Sequence, residues 1–182
     1  MKKILNSKKL KIVILDMDNL KNPFWGAGQA RVTREIGKRL AKNHEVIVYS
    51  SKYPGYIDYN EDGITYIHIG IVNKSPKLTN LAYLFRLPFL TKKIRNADII
   101  LEEFNAPIST SFSPLFTKIP VIAIPTIFNA EEFTKKYHLP FDLIEAIGVK
   151  LYKYFLPYSH TDNNKIKRLN PNAINKIMPV AK

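Results

Sequence analysis

Lys11-Ile12-Val13-Ile14-Leu15-Asp16 places four apolar residues in succession between a base and an acid. A strand with one wet face alternates apolar and polar residues. An unbroken apolar run instead needs cover on both faces, so the stretch reads as a central strand of a parallel sheet. Residues 17–27 hold Asn19, Asn22, Pro23 and Gly26 without a period and read as a loop. From Gly28, Val32, Ile36 and Leu40 recur at helical spacing beside the small residues Thr33, Gly37 and Ala41. Arg31, Arg34, Glu35, Lys38, Arg39 and Lys42 fall on the outer face, and Gly37 lets such a helix approach a sheet closely.

The pattern then repeats. Further strands are expected at 44–50, 64–70, 97–104 and 119–125, with a turn-rich segment at 52–63. Leu78, Leu81, Ala82, Phe85 and Phe89 give helical spacing within 77–95, where Pro88 predicts a kink or break. That apolar stripe reads first as core. A short helix is expected within 107–116. A second stripe, Ile144, Ile147, Gly148, Leu151 and Phe155, is stopped by Pro157. A short helix near 161–169 and an extended segment near Ile177 follow. Strands alternating with amphipathic helices define an α/β, Rossmann-like, three-layer domain with a mainly parallel sheet. It is assigned to residues 11–182, after a basic N-terminal tail at 1–10.

With 182 residues, 46% hydrophobic and 24% charged, the chain can bury one sizeable core. This composition excludes a mainly disordered chain, a collagen and a disulfide scaffold. No apolar run approaches the roughly 20 residues of a membrane span. The run Ile12–Leu15 is too short for a secretory signal. Without cysteine there is no thiolate metal site, and a cytoplasmic location is the default expectation. Lys and Arg number 28 against 15 Asp and Glu, so the net charge is 28 − 15 = +13. Such an excess attracts polyanions: nucleic acid, anionic lipid headgroups or phosphorylated small molecules. The lysines are scattered, which fits solvated faces equally well, and nucleic acid is not an expected partner. Their local density peaks at Lys2-Lys3, Lys8-Lys9-Lys11 and Lys92-Lys93-Arg95.

In a parallel sheet ligands sit beyond the carboxyl ends of the strands. The informative positions are thus those after Leu15, Val48, Leu101 and Ile124. Gly26-Ala27-Gly28, opening the first helix, offers backbone N–H groups and a helix dipole to an anion. It is not a dinucleotide fingerprint, because Arg31 takes the third glycine's place and the second strand ends in Tyr49-Ser50-Ser51 without an acid. Asp16-Met17-Asp18 looks like the D-x-D of haloacid-dehalogenase-type phosphatases, which use Mg²⁺. Leu20 and the absence of the usual second acidic pair depart from that pattern, and Asp16 could simply cap the strand exit. Glu102-Glu103-Phe104-Asn105 ends another strand, with one glutamate toward each face. These acids could bind hydroxyl-rich ligands or act as a base, or be surface acids offsetting lysines. His44, His68, His138 and His160 lack metal-ligand spacing, so no metal is expected, and His44 and His68 read as structural. Thr126 follows the fifth strand.

Together the motifs resemble, in their order, the N-terminal domain of a GT-B glycosyltransferase of the family-4 type. The pieces are Trp25-Gly26-Ala27-Gly28-Gln29-Ala30-Arg31 with its helix to Leu40, then Asn43-His44-Glu45-Val46-Ile47-Val48 and Gly63-Ile64-Thr65-Tyr66. Ala97-Asp98-Ile99-Ile100-Leu101 and Pro120-Val121-Ile122-Ala123 continue the series. Tyr158-Ser159-His160-Thr161, Lys165 to Leu169, and Asn175-Lys176-Ile177-Met178-Pro179 complete it, over about residues 11–180. The resemblance implies the acceptor-side half of an enzyme that moves a sugar from a nucleotide-sugar to a sugar or lipid-linked acceptor, with no further cofactor. The donor would be held by a missing C-terminal domain or a partner chain, since no two glutamates stand seven residues apart. The histidine that often follows strand five is replaced by Pro125-Thr126-Ile127-Phe128, so the chain alone is expected to be inactive. Gly26, Ala27 and Gly28 would approach the donor diphosphate. Asp18, Glu103, Asn105 and Thr126 would line the acceptor cleft, and the 78–93 region with its basic neighbours could meet an acceptor on a peripheral, anionic membrane surface.

Overall fold

A computed structural model describes residues 8–24, 26, 28–105, 110–126 and 128–178. β1 (Lys11–Leu15) leads to α1 (Gly28–Leu40) and β2 (Glu45–Ser51). β3 (Tyr59–Glu61), β4 (Ile64–Ile69), α2 (Pro76–Lys93) and β5 (Ile99–Phe104) follow. After a 3₁₀ turn at Ser113–Leu115 come β6 (Val121–Pro125), α3 (Ala130–Tyr137), α4 (Phe141–Leu151), β7 (Tyr154–Phe155), α5 (His160–Leu169) and β8 (Ile174–Asn175).

The eight strands form one sheet in the order β3-β4-β2-β1-β5-β6-β7-β8. Every pairing is parallel except β3 with β4. The opening apolar run occupies the sheet's centre, Ile12 pairing with Val46 on one side and Ile99 on the other. Alternation along β1 divides the interior in two. Val13 and Leu15 pack with Tyr83, Leu87, Val149 and Tyr152 on one face. Ile12 and Ile14 pack with Val46, Val48 and Ile64 on the other, where Ile36 and Leu40 of α1 close the layer. The fold is the α/β, Rossmann-like arrangement, with helices on both faces of a mainly parallel sheet. Gly37 is where α1 meets the sheet: a Cβ there would stand 2.7 Å from Ile64 Cδ1.

Several expectations are corrected. α2 runs unbroken through Pro88. The stripe Leu78, Leu81, Phe85 and Phe89 does not form core: these residues are exposed, and Thr79, Tyr83, Leu87 and Thr91 are buried instead. Phe155 belongs to β7, since α4 ends at Leu151. The turn-rich segment contains β3, held antiparallel by the tight turn at Asp62 and Gly63, both at positive φ. In the 107–116 segment, 107–109 lie outside the described residues and the only helical turn after them is the 3₁₀ turn at Ser113–Leu115. α3 carries no apolar stripe long enough to announce itself.

Candidate functional site

β1 lies between β2 and β5, and the chain leaves the sheet's two halves in opposite directions there. This is the switch point, the place where α/β sheets of this kind bind their ligands beyond the strand ends. Three carboxyl groups gather at it. Asp16 directly follows β1 and Asp18 stands two residues on, while Glu103 is the penultimate residue of β5. Asp16 and Glu103 are buried and Asp18 is half-buried at the mouth.

Asp16 is fully engaged. Its Oδ1 accepts the Asp18 backbone N–H at 2.9 Å, and its Oδ2 accepts the Thr33 hydroxyl of α1. Gln29 Nε2 donates to Thr33 Oγ1 at 3.5 Å, and the Tyr158 hydroxyl donates to Gln29 Oε1 at 3.3 Å. A chain of side chains therefore runs from beyond β7, through the first turns of α1, to the end of β1. Glu103 Oε1 accepts the Thr126 hydroxyl at 3.1 Å, tying β5 to the residue after β6. Among the described residues Glu103 Oε2 finds no donor, and that carboxyl lies within hydrogen-bonding reach of Asp16.

Burial dominates the protonation of this cluster. It lifts Asp16 to about 6, against the stabilising bonds from Thr33 and Asp18. Burial and then the charge of Asp16 lift Asp18 to about 7. Glu103 is pushed well above the usual carboxylate range, by burial first and then by Asp16 and Asp18. Three like charges cannot coexist in so dry a space. Burial thus favours the protonated form of Glu103, and Asp18, nearest to water, titrates at about 7. The arrangement gathers carboxyl oxygens at the carboxyl ends of β1 and β5.

Glu102, the neighbour in sequence, faces the other way. Its Oε1 accepts Ser111 N–H at 2.9 Å and Ser111 Oγ–H at 2.8 Å. Its Oε2 accepts the Tyr152 hydroxyl at 2.8 Å and Ser113 N–H at 3.3 Å. It ties Ser111 and Ser113, ahead of β6, to Tyr152 after α4. The reading of these two glutamates as surface acids is thus corrected, because both are buried.

The remaining candidates are placed as follows. Gly26 packs into the loop before α1, where a Cβ would come within 2.9 Å of the Asn22 carbonyl, so this backbone approach requires glycine. Gly28 starts α1 with open space where a Cβ would be, and α1 has no acid in its first turn. Ala27 lies outside the described residues. Asn105 is buried just past β5, its N–H bonded to Thr110 Oγ1 at 2.8 Å. The structure thus joins Glu103 directly to Thr126 and sets Asp18 beside both acids, while Asn105 has its backbone turned to Thr110. Sequence reading missed Thr33, Gln29 and Tyr158. The first two are visible only as the inward face of α1, and Tyr158 lies 129 residues from the glutamine it bonds.

At the same sheet edge, His68 of β4 is held by Asp58 at 3.0 Å and surrounded by the rings of Tyr53, Tyr56 and Tyr59. Burial lowers its pKa despite Asp58, and its packing fits the structural reading made from the sequence. His44 likewise caps the chain by accepting Leu10 N–H. Among the described residues no group of three His, Cys, Asp or Glu side chains is arranged to hold a metal ion.

No protein-family model matches the sequence, and no curated protein matches it either. Solved structures do match the fold. Sucrose-phosphate synthase from Thermosynechococcus elongatus superposes with a TM-score of 0.64 at 11% identity, over 96% of this chain and 49% of that one. A glycosyltransferase from Rickettsia africae ESF-5 gives 0.51 at 18% identity, over 93% and 42%. An α,α-trehalose 6-phosphate synthase from Burkholderia multivorans gives 0.53 at 13% identity, over 87% and 41%. The chain spans about half the length of these proteins, and it shares their fold over that portion.

Proposed function

We propose that this chain is the acceptor-side lobe of a GT-B glycosyltransferase of the family-4 type, moving a sugar from a nucleotide-sugar to a hydroxyl acceptor. The observation that carries the reading is the coverage: nearly the whole chain superposes on a little under half of enzymes named for making sugar phosphates or transferring glycosyl groups. The carboxyl cluster at the switch point supports it. An acceptor hydroxyl would lie against Asp18 and the Glu103–Thr126 pair, with Asn105 at its side. Asp18, poised near neutrality, would take the hydroxyl's proton as the new bond forms. Gly26, Ala27 and Gly28 would bring backbone N–H groups and the positive end of α1 toward the donor diphosphate. Burial, by favouring the protonated form of Glu103, would lower the negative charge that the diphosphate meets. The nucleotide itself would be gripped by a second lobe, elsewhere in a longer chain or on a partner.

The test is a transfer assay with a panel of nucleotide-sugars, run on the chain alone and on the chain co-produced with a candidate donor-binding lobe. Transfer only in the second case, lost in Asp18→Asn, is expected. Tight nucleotide-sugar binding by the chain alone overturns the reading. Mg²⁺-dependent phosphate release from an aryl phosphate, abolished by Asp16→Asn, would instead establish the phosphatase alternative. A nucleophilic aspartate needs a free oxygen facing substrate, and both Asp16 oxygens already accept bonds.

A further inference from the structure

α4 keeps a charged side chain inside and turns apolar ones out. Glu145, Gly148 and Val149 are its buried residues. Glu145 forms an ion pair with Lys165 of α5, and its Oε2 accepts the Ala130 N–H at 3.2 Å. At 100° per residue, Leu143 and Ile147 fall on the opposite side of the helix. They are 57% and 52% exposed, and Leu139, four residues before Leu143, is 53% exposed. Tyr137, also exposed, stands at the end of α3 with its ring stacked on Phe133 and met edge-on by Phe141. Single exposed apolar residues are ordinary, but a row of this length on adjoining elements marks a contact surface.

A second row runs beside it on α4. Asp142, Ala146 and Lys150 are four residues apart, so they form one ridge next to Leu143 and Ile147. Asp142 and Lys150 are exposed, about 12 Å apart along the axis. Among the described residues neither enters an ion pair. The Thr134 hydroxyl donates to Asp142 Oδ1 at 3.0 Å, which fixes the carboxylate. The ridge is therefore acidic at one end, basic at the other, and small at its midpoint. Such a surface is complementary to itself when reversed. Two copies of α4 crossing antiparallel at Ala146 set Asp142 of each opposite Lys150 of the other, twice. The same crossing brings Leu143 of each copy beside Ile147 of the other. The exposed row on α2 lacks this property, since its helix carries Lys77, Arg86, Lys92 and Lys93 and no acid.

We propose that the chain pairs with a second copy of itself through α4, about a two-fold axis passing at Ala146. Charge complementarity selects this occupant. A two-fold contact uses one patch twice, so the patch must carry both signs in mirrored positions. Val149 holds the inner side of α4 in the core cluster with Tyr83 and Leu87, so the pairing face points away from the sheet. The pairing does not depend on the sugar chemistry proposed above.

The experiment is sedimentation velocity of the whole chain over a concentration series. A dimer that dissociates on dilution is expected. Asp142→Lys and Lys150→Asp should each weaken it by at least about tenfold, because like charges then face each other. The two exchanges combined in one chain should restore the dimer, a recovery that damage to the fold would not give. Leu143→Ser/Ile147→Ser should leave a monomer with unchanged circular dichroism. Phe85→Ser/Phe89→Ser, on the exposed row of α2, should dimerise as the wild type does. The proposal is overturned if the wild-type chain is monomeric throughout the series, or if the combined exchange fails to recover what each single exchange loses. It is also overturned if the phenylalanine variant, rather than the α4 variant, abolishes the dimer.

Discussion

Replacing Asp18 by Asn keeps the side chain's shape and removes its charge. Asp18 titrates at about 7 rather than at its ordinary 3.8, through burial first and the Asp16 charge second. The sign follows directly. Between about pH 4 and about pH 7 the folded chain holds a proton that the unfolded chain has lost, so stability falls as pH rises through that window. The penalty is absent below it and complete above it. A shift of about three pH units corresponds to roughly 4 kcal/mol at most. Because Asp18 is half open to water, screening reduces this to about 1–2 kcal/mol. The backbone N–H of Asp18 still bonds Asp16 in the variant. Urea unfolding at a series of pH values should therefore find Asp18→Asn equal to the wild type near pH 4 and more stable by that amount at pH 8. A variant less stable at pH 8, or a difference that does not change with pH, would refute the electrostatic account of the crevice. If the same variant is the one that loses transfer, the site exchanges stability for chemistry.

Thr33→Val removes the hydroxyl on which ionised Asp16 relies. It should cost about 1–2 kcal/mol at pH 8 and less at pH 5, below the Asp16 value of about 6, as read by urea unfolding at both pH values. Glu102→Ala strands the backbone N–H groups of Ser111 and Ser113, the Ser111 hydroxyl and the Tyr152 hydroxyl. Its expected cost is about 3–5 kcal/mol by chemical denaturation. Gly148→Ala sets a methyl 2.7 Å from Phe112 and 3.3 Å from Phe104. Thermal unfolding should show a loss of about 1–3 kcal/mol, because packed rings yield poorly.

The sequence by itself determined the layered α/β fold and its central strand. An apolar run such as Ile12–Leu15 has no stable place except a sheet covered on both sides, and local periodicity suffices to see it. It also located the carboxyl strand ends, and with them Asp16, Asp18, Glu103 and Thr126, because alternating strands and helices fix where a crevice can open. Only the tertiary structure decided what these residues do to one another. Glu102 and Glu103 are adjacent and chemically identical, yet one accepts bonds from Ser111, Ser113 and Tyr152 and the other joins Thr126 beside Asp16, a difference set by which face of β5 each occupies. The relay from Tyr158 through Gln29 to Thr33 depends on contacts between elements far apart in the chain. The outer row of α2 was misread as core because periodicity shows that a helix has an apolar stripe without showing which way it turns. The sheet beneath α2 takes its threonine and tyrosine face and leaves the phenylalanines in solvent, a choice made by steric fit to neighbouring strands that no local pattern encodes.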